Sequence, residues 1–268
     1  MATNGYRRLV TVPRPSLAQD AADGPGALIL VRHAESVGNV LREEAEAAGA
    51  ATIPIPDRDA DVGLTGLGES QAAALGRWLA DLPDTDRPTV VWTSPYRRAV
   101  DTTRIALLTS GLDVCVHVDE RLRDRELGIL DRLTAHGIRQ RFPDEAERRQ
   151  FLGKFYYRPP GGESWADVVL RLRSVIVDIT HGSPTTTPLV VSHDSVTLLL
   201  RYVLERMDEA ALLDIARVRS VGNASVTRLL RAAPGEPWTV DADNAQHHLI
   251  EHGSVPTQHE ADHDVDPA

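Results

Sequence analysis

The chain has one cysteine in 268 residues, Cys115, which excludes an intramolecular disulfide and any cysteine-based metal cluster. That scarcity makes the cytoplasm the default compartment. No stretch approaches the roughly 18 uninterrupted apolar residues that a bilayer-spanning helix needs, so the sequence reads as soluble, with no membrane partner. The first 26 residues hold arginines and prolines but lack an apolar core of about 7 to 15 residues, so they read as a flexible leader rather than a secretory signal. Positive charge is also short. Twenty-nine Lys and Arg against 39 Asp and Glu leave a net charge of −10, which argues against broad nucleic-acid binding, since that needs a concentrated basic face.

Against that acidic background the arginines are bunched, at Arg97 and Arg98, at Arg121, Arg123 and Arg125, and around Arg32. Each bunch falls near a predicted element end, which points to a small anionic ligand rather than an extended polyanion. With 42% hydrophobic residues the chain can bury the core of one large domain with decorations.

The run Ala27 to His33 is short, apolar and ends in charge, the pattern of a strand buried on both faces. Similar runs fall at Thr89 to Thr93, Val114 to Val118 and Pro188 to Ser192, and Val218 to Leu230 ends the sheet. Helical patterns lie between them, at Glu35 to Ala48, Leu67 to Leu82 after a Thr65 cap, from Ser94, Ser164 to Thr180, and Val196 to Met207. This alternation predicts a three-layer α/β/α sandwich with a mainly parallel sheet and ligands at the carboxyl ends of the strands. The domain should span 27–240, with an insertion of short helical pieces at about 121–160. From residue 241 the chain is acidic and histidine-rich without apolar periodicity, and it reads as a disordered tail rather than a metal site.

Arg32 and His33 end the first strand and are followed by Glu35, Ser36 and Asn39 in a turn leading into a helix. Free backbone N–H groups at a helix start favour a phosphate, and an arginine adds a bidentate clamp. A histidine there either donates a hydrogen bond to the anion or attacks phosphorus with its unprotonated nitrogen.

The segment LVRHAESVGN resembles the nucleophile motif of the histidine phosphatase superfamily, which includes phosphoglycerate mutases. Four further segments resemble that family's later motifs in order: GLTGLGESQA from Gly63, SPYRRAVDTT from Ser94, RLRDRELG from Arg121, and VVSHDSV ending a strand at His193. The resemblance implies the histidine phosphatase (phosphoglycerate mutase-like) fold and a phosphohistidine mechanism that needs no metal or other cofactor. His33 would be the nucleophile, with Arg32, Arg98 and His193 supplying positive charge to the phosphoryl oxygens and Asn39 and Ser36 supporting binding. Asp124 would be the proton donor, and Glu126 is a rival for that role. Neighbouring cations should keep His33 neutral and should also lower the pKa of Asp124. Ala34 and Asp194 stand where the family usually has glycine, and Asp124 stands where glutamate is commoner.

KFYYRPPGGESWADVVLRL, from Lys154, resembles a segment of fructose-2,6-bisphosphatases. That likeness implies Lys154 and Arg158 as substrate-binding residues, with Glu163 and Ser164 near the phosphate pocket. No GxxxxGK phosphate loop is present, so no kinase half accompanies it. The expected activity is hydrolysis of a small phosphomonoester, a sugar phosphate or related metabolite. Phosphoglycerate mutase-type transfer and a non-catalytic phosphate-binding module are the alternatives. Oligomeric state is open, with a dimer among the options.

Overall fold

The computed structural model describes residues 24–218 and 220–259, so the expected leader lies outside the described residues up to position 23. Among the described residues six strands form one sheet: β1 (Ala27–Arg32), β2 (Val90–Thr93), β3 (Cys115–Val118), β4 (Pro188–Ser192), β5 (Val226–Leu230) and β6 (Thr239–Ala245), in the order β3-β2-β4-β1-β5-β6. β3, β2, β4 and β1 run parallel, while β5 and β6 add antiparallel pairs at one edge. The helices are α1 (Val37–Ala47), α2 (Gly66–Asp81), α3 (Arg97–Ser110), α4 (Ala135–Arg141), α5 (Pro143–Tyr156), α6 (Trp165–Ile179), α7 (Asp194–Leu204), α8 (Glu209–Val218) and α9 (His247–Glu251).

Alternation along the strands sorts side chains into two cores. Leu28 and Leu30 of β1 face a cluster built with Trp165, Val168 and Leu172 of α6 and Leu199 of α7. Ile29 and Val31 face the opposite cluster, with Leu75 and Leu79 of α2 and Ala99 and Ala106 of α3. The central strand is therefore apolar on both sides, and each fully buried Leu or Ile contributes about 1.5–3 kcal/mol. Helix starts follow the sequence expectation: the Thr65 hydroxyl accepts from the Gly68 N–H, and the Ser164 hydroxyl accepts from the Asp167 N–H. The expected insertion, between β3 and α6, is two short 3-10 turns with α4 and α5.

The sheet does not end at β5, and the tail is not unstructured where it is described. β6 pairs antiparallel with β5, from Val226 opposite Ala245 to Leu230 opposite Thr239. α9 then buries Leu249 and His248, with Leu249 packed among Ala34, Ala72, Ala74 and Ala224. Lone apolar residues separated by polar ones carry no periodicity, yet the segment is held by hydrogen bonds from distant parts of the chain. Gln71 Nε2 donates to the Val255 carbonyl and to Thr257 Oγ1, both at 2.9 Å, and the Asn223 N–H donates to the Thr257 carbonyl at 2.9 Å. Residues 252–259 thus form a strap across the carboxyl end of β1.

Gly68 lets α2 meet the turn after β1. A Cβ placed there would lie 2.0 Å from the Glu35 carbonyl oxygen, a backbone atom that cannot swing aside. Gly68→Ala is accordingly expected to destabilise the fold by about 1–3 kcal/mol, read as a lowered midpoint in urea. An unchanged midpoint would mean that α2 and the turn can separate freely.

Candidate active site

Three adjacent parallel strands end side by side, and their carboxyl ends carry the expected residues. Arg32 of β1 lies opposite Ser192 of β4, the His33 N–H donates to the Ser192 carbonyl at 2.8 Å, and the Ser94 N–H after β2 donates to the Val191 carbonyl at 3.0 Å. Register alone therefore places His33, His193 and the start of α3 around one crevice, with Arg98 the second residue of that helix.

His33 is 2% exposed, and its ring centroid is 5.2 Å from that of His193. Its Nδ1 lies 2.7 Å from the Ala34 carbonyl oxygen. A carbonyl can only accept, so Nδ1 carries the proton and Nε2 keeps the lone pair. Burial, followed by the nearby Arg98, His193 and Arg32, holds the His33 pKa well below its ordinary value. The ring is neutral and has a nucleophilic nitrogen.

Arg32 is fully buried. Its Nη1 donates to the carbonyl oxygens of Val221 and of His259 in the strap, the latter at 2.9 Å. Its Nε and Nη2 are buried with no hydrogen-bond partner among the described residues, an edge that matches two phosphate oxygens. Arg98 is 5% exposed and forks onto Asp59, Nη1 to Oδ1 and Nη2 to Oδ2 at 3.0 Å each, while Nη2 also reaches Asp124 Oδ2 at 3.1 Å. His193 Nε2 is 2.8 Å from the Ser94 hydroxyl, and its Nδ1 is 3.2 Å from Asp124 Oδ2.

Asp124 sits at the rim of this group. Its other oxygen, Oδ1, accepts from the Arg125 N–H at 2.9 Å and the Ser195 hydroxyl at 3.2 Å. Burial alone would raise its pKa, but His193, Arg98 and the Arg125 N–H outweigh it and hold the carboxyl well below the usual range. Glu126 is half exposed and accepts from the Tyr96 hydroxyl at 2.9 Å.

The turn after β1 does not present free N–H groups as the sequence suggests. Those of Ala34, Glu35, Ser36, Val37 and Asn39 are taken by Thr102 Oγ1, Gln71 Oε1, Asn39 Oδ1, the Gly63 carbonyl and Ser36 respectively. These five groups are occupied within the protein, which gives the side chains the larger part in holding an anion. Ser36 and Asn39 are thus the two halves of a capping box on α1, and Asn39 Oδ1 also accepts from Asn223 Nδ2 at 3.2 Å.

The remaining sequence candidates divide. Lys154 Nζ lies 4.7 Å from the Trp165 ring centroid, over its face. Arg158 is 63% exposed and forks onto Asp167. Glu163 accepts from Arg123 at 2.6 Å and from Arg171 at 2.9 Å and so braces the segment that carries Asp124, whereas Ser164 caps α6. Sequence reading missed Asp59, Ser94, Ser195 and Asn223, whose amide donates to the His33 carbonyl at 3.2 Å. Ser94 opens a motif already singled out, whereas Asp59 is one of several aspartates in a loop and nothing local distinguishes Asn223.

Comparison with known proteins agrees with this geometry. The chain is 30% identical over 186 residues to the chicken (Gallus gallus) 6-phosphofructo-2-kinase/fructose-2,6-bisphosphatase, a match covering 69% of this chain and 34% of that one. It therefore spans about a third of the bifunctional relative. A phosphoglycerate mutase-like protein of Arabidopsis thaliana is 26% identical over 249 residues, covering 85% of this chain and 82% of its own. Among solved structures, the mycobacterial glucosyl-3-phosphoglycerate phosphatase superposes with a TM-score of 0.63 at 26% identity, covering 82% of this chain and 99% of that one. The family model for branch 1 of the histidine phosphatase superfamily matches residues 28–245, and the chain belongs to that superfamily.

Proposed function

We propose that this chain hydrolyses small phosphate monoesters through a phosphohistidine at His33 Nε2. The observation that carries the reading is a buried, neutral imidazole whose proton is fixed on Nδ1, set among Arg32, Arg98 and His193. Phosphoryl transfer needs little more from a protein than positioning and charge around the equatorial oxygens. Nε2 attacks phosphorus as the P–O bond to the leaving group breaks, and Asp124 gives that oxygen its proton. Water then attacks phosphorus, returns a proton to Asp124 and breaks the N–P bond, releasing inorganic phosphate.

Asp124 is favoured over Glu126 as the acid because it lies against His193 and Arg98, whereas Glu126 is turned onto Tyr96. A sugar phosphate or related metabolite is the proposed substrate class, supported by relatives named for bisphosphorylated fructose and phosphorylated glucosylglycerate. The mycobacterial phosphatase has been solved with inorganic phosphate and with vanadate. Among the described residues no helix is long and apolar enough to cross a membrane, and the single cysteine supports the cytoplasm as the proposed location.

Asp124 is ionised in the free site and must be protonated when the leaving group departs. A bound phosphate dianion supplies the opposing charge that raises its pKa. Activity should therefore be highest at acidic to neutral pH and fall as pH rises through the acid's pKa in the substrate complex. A profile of kcat that stays flat beyond pH 9 would remove Asp124 from this role. Phosphate release from a panel of phosphorylated sugars, glycerates and nucleotides tests the reading as a whole. Isomerisation of phosphoglycerate without phosphate release would identify a mutase instead.

A further inference from the structure

We propose that Asp194 is a positioning residue for phosphate capture, gripping Val221 so that the Val221 carbonyl aims the Arg32 guanidinium. The inference rests on the phosphatase reading above, and it extends the site to the residue that follows His193. Asp194 is the first residue of α7, directly after His193, and it is 6% exposed. Its Oδ1 accepts from the Val221 N–H at 3.0 Å. The carbonyl of the same residue accepts from Arg32 Nη1. Asp194 and Arg32 also attract one another as opposite charges.

Val221 belongs to the loop joining α8 to β5, and successive N–H groups of that loop are each tied to a different element. Gly222 donates to Asn244 Oδ1 of β6 at 2.7 Å, Asn223 to the Thr257 carbonyl of the strap at 2.9 Å, and Ala224 to the Arg32 carbonyl of β1 at 3.1 Å. The Asp194 bond ties the loop to α7 and hence to His193. Without it, the Val221 peptide that orients Arg32 is held only through its neighbours, by the Ser220 carbonyl, which accepts from Gln258 Nε2 at 2.9 Å and Asn244 Nδ2 at 3.4 Å, and by the N–H groups that follow. The consequence falls on the buried Nε and Nη2 edge of Arg32, because a two-point clamp on phosphate depends on the plane of the guanidinium.

Burying a carboxyl is costly unless it is compensated. Burial indeed pushes the Asp194 pKa up, with Arg32 and the Val221 N–H opposing the rise. An oxygen of the group accepts from Val221 in either protonation state. An amide oxygen can do the same, which separates a positioning role from a charge or proton-transfer role.

The test measures binding of inorganic phosphate and turnover of p-nitrophenyl phosphate for wild type, Asp194→Ala and Asp194→Asn, each also in an Arg32→Ala background. Asp194→Ala should weaken phosphate binding and raise KM by about tenfold, the scale of one lost buried hydrogen bond. Asp194→Asn should stay within about threefold of wild type, with an unaltered pH profile. In the Arg32→Ala background, Asp194→Ala should add less than about twofold, because a residue acting through another is not additive with it.

Wild-type phosphate affinity in Asp194→Ala would overturn the proposal, as would full additivity with Arg32→Ala. So would an Asn variant as impaired as Ala with the alkaline limb of its profile lost, since that marks a proton donor. The isosteric Asn variant keeps the test decisive if Ala disturbs folding. If wild type hydrolyses no phosphomonoester, the phosphatase reading fails while phosphate affinity still tests Asp194.

Discussion

Replacing His33 with alanine is expected to lower kcat by about 10⁴-fold or more, the scale seen when a covalent nucleophile is removed. The replacement deletes the nitrogen that forms the N–P bond, and no other neutral imidazole can take its place. His193 is the neighbouring ring, but its nitrogens lie against Ser94 and Asp124. Wild type quenched during turnover of a radiolabelled substrate should carry an acid-labile phosphoryl group, and His33→Ala should carry none. Inorganic phosphate should still bind the variant, because Arg32, Arg98 and His193 remain. Unchanged turnover would end the phosphohistidine mechanism for this chain.

The second large effect is expected at Arg32. Its alanine variant should lose about 10³- to 10⁵-fold in kcat/KM, comparable to removal of a transition-state arginine in other phosphoryl-transfer enzymes. Arg32→Lys should recover little, since a single ammonium cannot reproduce a planar two-nitrogen contact. Part of the loss will be structural. Deleting the guanidinium leaves the Val221 and His259 carbonyls without this donor, and an unsatisfied buried group costs about 1–3 kcal/mol. Measuring the unfolding midpoint beside kcat/KM separates the two contributions. A loss in rate no larger than the loss in folded fraction would mean that Arg32 serves the fold and not the reaction.

The parallel part of the fold is legible in the sequence because it obeys local rules. Ala27 to Arg32 and Pro188 to Ser192 are short apolar runs whose burial on both faces follows from composition alone, and Val90 to Thr93 is a similar run buried fully on one face. Thr65 and Ser164 advertise helix starts by their chemistry. The positions of His33, Arg98 and His193 are equally readable, since strand ends in a parallel sheet converge on one edge.

What escapes the sequence is whatever depends on partners far along the chain. β6, with TVDADNA, looks like a solvated acidic segment; it becomes a strand because β5 offers an unpaired edge. Glu35 looks like a site residue but holds the Thr65 hydroxyl at 2.6 Å and the His259 ring at 3.0 Å. Asp59 and Asn223 have ordinary neighbours in sequence, and their roles arise from the Arg98 side chain 39 positions away and the His33 carbonyl 190 positions away. Ser36 and Asn39 show the opposite case, in which a local capping rule accounts for residues that a family likeness assigns to ligand binding.

The strap over β1 makes the order of synthesis matter. Arg32 is translated before the carbonyl of His259 that holds it, which lies 227 positions later. At roughly 5–20 residues per second, about 10–45 s separate translation of the two. The guanidinium leaves the exit tunnel well before its last acceptor exists, so a nascent chain stalled short of residue 259 would hold every catalytic side chain without the finished anion clamp.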